Sequence, residues 1–107
     1  MSKLPPHSRQ LVRDSRSREL SLLLQDLDQR FQSWRDGDLE SGELANRIHE
    51  FSKGPLRELE KCYSALDEAT LIARAVVNGI LPESELGPEL LVAIESRIAA
   101  LKDLRNG

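Results

Sequence analysis

Leucines and aromatic residues recur at spacings of three and four along most of this chain, and glycines cut the stripes. Leu20, Leu23, Leu24, Leu27, Phe31 and Trp34 form the first stripe. They predict a helix from about Asp14 or Ser15 up to Gly37, with Asp26 and Arg30 placed to pair across one turn of a neighbouring face. A second helix is expected from Glu40 or Ser41, with Leu44, Ile48 and Phe51 inward and Glu43 in the first turn, where the helix dipole favours a carboxylate. Gly54-Pro55 stops that helix and opens a third, since proline suits a first helical position. The third stripe is Leu56, Leu59, Tyr63 and Leu66. Asp67 then caps a fourth helix over roughly 67–78, apolar around most of its circumference and so the expected centre of the core. Gly79 closes it, and Gly87-Pro88 repeats the stop-and-start device. The last helix, about 88–105, carries Leu90, Leu91, Ile94, Ile98, Leu101 and Leu104 on one face. Nothing alternates at period two. The pattern predicts an all-α fold, a compact bundle of four to five helices joined by Gly/Pro turns at Gly37, Gly54, Gly79 and Gly87.

One phrase occurs twice. Asp36-Gly37-Asp38-Leu39 leads to Glu43-Leu44, and Asn78-Gly79-Ile80-Leu81 leads to Glu85-Leu86. Each resembles the second half of an EF-hand loop, with glycine, an aliphatic residue and glutamate at the sixth, eighth and twelfth places. The ligand places do not follow. They hold Gln32, Trp34 and Asp36 in one copy and Arg74, Val76 and Asn78 in the other, and neither tryptophan nor arginine coordinates a hard cation. The expectation is a glycine-capped helix–turn–helix without metal, in which Gly37 and Gly79 adopt the left-handed backbone.

With 107 residues the chain has room for one domain. The expected division is a flexible basic arm over 1–14 and a single helical domain over 15–107. Residues 1–18 hold Lys3, Arg9, Arg13, Arg16 and Arg18 against Asp14 alone, on a chain whose net charge is −3. That asymmetry makes Arg9, Arg13, Arg16 and Arg18 candidate contacts for phosphates or for an acidic partner. Cys62, the single cysteine, has no partner for a disulfide and no metal-finger spacing, in keeping with a reducing compartment. No apolar run approaches a membrane span, and residues 1–14 lack the apolar stretch of a secretory signal. A cytoplasmic protein is expected, with no membrane association.

Candidate chemistry is sparse. His49, beside the Ile48 stripe, reads as a half-buried, hydrogen-bonded histidine, and one histidine makes no metal site. Cys62 has Glu58 one turn back, and a neighbouring carboxylate works against thiolate formation. It reads as a filler at the edge of the core. His7 lies in the arm. Arg47, Lys53, Arg57 and Lys61 are spaced to form a basic patch if the Gly54-Pro55 turn keeps them together, although Glu50, Glu58 and Glu60 are interleaved. No catalytic, cofactor-binding or metal-ligating set is assigned.

The run from Leu27 through Arg47-Ile48-His49-Glu50-Phe51, then Gly54-Pro55 with Arg57-Glu58-Leu59, then Val76-Val77-Asn78-Gly79-Ile80-Leu81 resembles a family of small bacterial helical proteins without an assigned activity. The resemblance implies a bacterial cytosolic protein and supplies no functional residues. The expected function is a non-enzymatic protein–protein interaction module, with another protein or a second copy of the chain as partner. The alternative is a nucleic-acid-associated protein using its basic N-terminal residues.

Overall fold

A computed structural model describes residues 4–106, with Asn106 described by its backbone alone. Among the described residues there is no strand. Five α-helices run in chain order: α1 (Ser8–Arg35), α2 (Ser41–Lys53), α3 (Pro55–Ala65), α4 (Glu68–Val77) and α5 (Pro88–Asn106). A single 3₁₀ turn, Glu83–Glu85, lies between the last two. The chain divides into two compact units, one made of the residues up to Arg18 and those from Ala65 onward, the other of Glu19–Ser64. The division falls inside α1.

The first unit contains the main core. α4 contributes Ile72, Ala73 and Ala75, all without solvent exposure, and α5 contributes Leu90, Ile94 and Ile98. Small residues on α4 let the larger side chains of α5 approach closely, so close packing is reached without aromatics. Leu81 and Leu86 close the core from the connection between the two helices, and Leu11 of α1 joins it. Asp67 caps α4 by accepting a hydrogen bond from the Thr70 amide at 2.9 Å.

The sequence reading places an arm over 1–14; the structure begins α1 at Ser8, six residues before the expected start. Residues 8–14 are its first two turns, and Leu11 and Ser8 are buried. Pro5 is buried as well. The early turns hide from a search for apolar periodicity because two of their inward residues are serines. Ser8 Oγ donates to Glu68 Oε2 at 3.1 Å, and Ser15 Oγ donates back to the Leu11 carbonyl at 2.7 Å. Satisfied in this way, a buried hydroxyl costs little. Residues 1–3 of the expected arm lie outside the described residues.

In the second unit α1, α2 and α3 fully bury only two apolar side chains, Leu44 and Leu59. Leu20, Leu23, Leu27, Phe31, Phe51 and Leu56 are half-buried. A polar pair supports the apolar contacts: the Tyr63 hydroxyl donates to Glu19 Oε2, and Glu19 is buried. Trp34 Nε1–H donates to Ser41 Oγ at 3.0 Å, tying the end of α1 to the start of α2.

The doubled phrase is a doubled helix cap. Gly37 and Gly79 have φ of +83° and +76°. In the first copy the Asp38 amide reaches back to the Ser33 carbonyl at 2.8 Å and Gly37 to Trp34 at 3.1 Å. In the second, Ile80 reaches Ala75 at 2.8 Å and Gly79 reaches Val76 at 3.1 Å. This is the Schellman arrangement twice over, and each glycine supplies the left-handed residue that it needs. Gly87 also has positive φ, at +80°, whereas Gly54 has φ −101°. At Gly54 the demand is space: a Cβ there would lie 3.0 Å from the Glu50 carbonyl oxygen.

Candidate interaction surfaces

The basic residues near the N-terminus are divided by the fold. Arg18 is drawn onto the turn after α4, where Nη1 donates to the Ile80 carbonyl and Nη2 to Glu85 Oε1, both at 3.1 Å. Arg9 lies 3.9 Å from Glu68. Arg13 and Arg16 point to solvent. Of four arginines that look equivalent in the sequence, Arg18 braces the first unit, while Arg9, Arg13 and Arg16 are exposed. His7 braces it as well, since its Nε2–H donates to the Leu86 carbonyl at 2.7 Å.

An open cleft of about 620 Å³ in the first unit is lined by Pro5, Pro6, Arg9, Asp67, Glu68 and Arg97, among others. Its charged groups face each other: Arg9 meets Glu68, and Arg97 lies 3.7 Å from Asp67. Ser8 supplies a further donor to Glu68. No thiol lines the cleft, and the Ser8 hydroxyl is engaged with a carboxylate that already has an arginine, so the arrangement activates no nucleophile.

The Asp67 carboxyl is held below the usual aspartate range. Its hydrogen bond from Thr70 is the largest cause, with the Arg97 guanidinium adding a smaller pull. A depressed folded-state value contributes stability above the unfolded-state pKa, near 4, and that contribution is lost as the pH falls through the folded value. Asp67→Asn keeps a good cap, because asparagine serves as well as aspartate at this position. The variant should therefore lose less stability than the parent between pH 7 and about pH 3, as read from urea midpoints at the two values. Equal losses would detach Asp67 from the acid response.

The second unit holds the other candidate cluster. Arg47 pairs with Glu50 at 3.7 Å and Lys61 with Glu58 at 3.5 Å, so acidic neighbours neutralise two of the four residues of the expected basic patch. Lys53 and Arg57 are exposed. His49 is also exposed, not half-buried as its position beside Ile48 suggested, because Ile48 itself lies at the edge of the buried face and is 40% exposed. Cys62 is half-buried. Among the described residues, no group of three or more His, Cys, Asp or Glu side chains is placed to hold a metal ion. The EF-hand ligand places Gln32 and Trp34, and Arg74 and Val76, fall inside α1 and α4.

A shallow groove of about 180 Å³ has Leu27, Phe51 and Pro55 as its apolar lining and Asp26, Arg30, Arg47 and Glu50 as its charged one. The Asp26–Arg30 pairing expected from sequence does not form. Neither side chain makes an ion pair within the described chain. Leu22 and Trp34, on the same i,i+4 row of α1, are exposed, and so is Leu24 on another side of the helix. Leu22 lies outside the stripe read from the sequence; the signal that marks it is its place four residues before Asp26, on the row that continues to Arg30 and Trp34.

The chain matches no family model, no curated protein and no solved structure.

Proposed function

We propose that this chain is a non-enzymatic protein-interaction module whose contact face lies on the helices of the Glu19–Ser64 unit. One observation carries the reading. That unit fully buries two apolar side chains yet leaves Leu22, Leu24, Trp34 and Ile48 exposed by 40% or more. Single exposed leucines are ordinary, but four large apolar groups left exposed on so small a unit are area that water covers at a cost and a partner covers at a gain. The interaction reading goes with a bacterial cytoplasmic setting, which the lone, half-buried Cys62 and the resemblance to small bacterial helical proteins support.

The test compares tagged full-length chain with the variant Leu22→Lys/Leu24→Lys/Ile48→Lys in capture from nuclease-treated bacterial lysate mixed with untagged chain. Trp34 is spared because it holds Ser41. A discrete protein, or the untagged copy, should be retained by the parent and lost by the variant. Retention that instead disappears with nuclease, or with Arg13→Glu/Arg16→Glu, would replace this reading with the nucleic-acid one. Capture of nothing that depends on the three apolar positions would overturn it. Truncation at Ser17 is unsuitable as a test, since it removes Leu11 and Ser15 from the first unit.

A further inference from the structure

Leu22, Asp26, Arg30 and Trp34 follow one another at intervals of four and so form a single ridge along the exposed side of α1. The ridge reads apolar, acidic, basic, apolar. Read from the other end it is apolar, basic, acidic, apolar. A second ridge of the same composition laid antiparallel therefore sets Leu22 against Trp34, Asp26 against Arg30, Arg30 against Asp26 and Trp34 against Leu22. Laid parallel, it would set aspartate on aspartate and arginine on arginine. The antiparallel arrangement is the one that a two-fold axis crossing the helix generates, so of the two symmetric arrangements open to a helix pair, charge favours this one.

We infer that the partner covering this face is a second copy of the chain, joined through an antiparallel contact between the two α1 helices, centred between Asp26 and Arg30. The inference rests on the interaction-module reading and names its partner. Three features of the ridge support it. Asp26 and Arg30 are in the favourable order for an i,i+4 pair, acid first, yet neither is paired among the described residues, which leaves both charges free to cross the axis. The two apolar ends, Leu22 and Trp34, are both exposed. The groove beside the ridge carries two acids and two bases, Asp26, Glu50, Arg30 and Arg47, a neutral set that does not repel its own copy. Ridges of this spacing cross at about 50°, which confines the contact to a few turns around the axis. The dimer is therefore dissociable, and its population depends on concentration.

Sedimentation equilibrium of the full chain, at loadings up to about 300 µM, tests this. The parent should move from the 12.0 kDa of one chain toward twice that mass as concentration rises. Asp26→Arg alone, or Arg30→Asp alone, sets like charges opposite each other twice per dimer and should weaken association by about tenfold or more. The double exchange Asp26→Arg/Arg30→Asp restores opposite charges across the axis and should restore association, a rescue that damage to the helix would not produce. Circular dichroism confirms that each variant remains helical. A parent that stays at 12.0 kDa throughout overturns the inference, as do single reversals without effect or a double exchange that fails to rescue. If the parent is monomeric but still captures another protein through Leu22, Leu24 and Ile48, the second copy is excluded and the interaction module stands. If that capture is absent too, both readings fall.

Discussion

Leu11→Ala will destabilise the unit built from α4 and α5 by about 2–4 kcal/mol, although the residue sits where the sequence suggests an unstructured arm. Leu11 is 6% exposed and belongs to the same apolar cluster as Ile72, Leu86 and Ile94. Truncation removes its transfer free energy and leaves a cavity in a core that α4 and α5 already fill. Arg13→Ala, two residues away and exposed, should change stability by no more than about 0.5 kcal/mol. The choice of probe matters, because Trp34, the only tryptophan, and Tyr63, the only tyrosine, both lie in the other unit. Intrinsic fluorescence follows that other unit, so the loss must be read by far-ultraviolet circular dichroism, where α4 and α5 contribute. Matching dichroism melts for Leu11→Ala and the parent would mean that the first turns of α1 are not docked. A loss seen equally by both probes would mean that the two units unfold as one.

What was legible in the sequence was mostly punctuation. Gly37 and Gly79 mark left-handed caps, Pro55 and Pro88 open helices, and Asp67 caps α4; each acts through its own backbone or its nearest neighbours, so no tertiary information is needed to read it. The apolar run over α4 also identified the most buried helix, because a helix without a polar face has no side to give to water. The beginning of α1 was not legible. Its inward positions include Ser8 and Ser15; Ser15 turns its hydroxyl onto the Leu11 carbonyl one turn back, but the acceptor that lets Ser8 be buried is 60 residues away at Glu68. The fates of Arg9 and Arg18 were hidden for the same reason, since their partners lie on distant elements.

The candidate surface was half legible. A search for buried stripes picks out Leu20, Leu23, Leu24, Leu27, Phe31 and Trp34, of which Leu24 and Trp34 are in fact exposed, and passes over Leu22, which follows a different row of the helix. The spacing of Asp26 and Arg30 permits a pair, and spacing alone does not tell whether two exposed side chains meet. Their separation in the structure turns an ordinary local pair into a candidate for contact with another molecule.

Ile94→Ala and Leu104→Ala should differ sharply in their cost. Both residues fall on the apolar face that periodicity assigns to α5, and from sequence they carry equal weight. In the structure Ile94 has no exposed surface, whereas Leu104 is 78% exposed. The helix continues past the end of the core: Ile98 is still buried, Leu101 is partly so, and by Leu104 the face has run into solvent. Ile94→Ala should therefore cost about 2–5 kcal/mol, the range for truncating a fully enclosed aliphatic residue. Leu104→Ala should cost less than about 0.5 kcal/mol, because little surface is returned to water and alanine is the better helix former. Chemical denaturation followed by circular dichroism measures both. Comparable losses at the two positions would mean that Leu104 is covered in solution, and the end of α5 would then be a candidate contact face to be tested by the same sedimentation experiment. A large loss at Ile94 alone fixes the core where α4 and α5 meet.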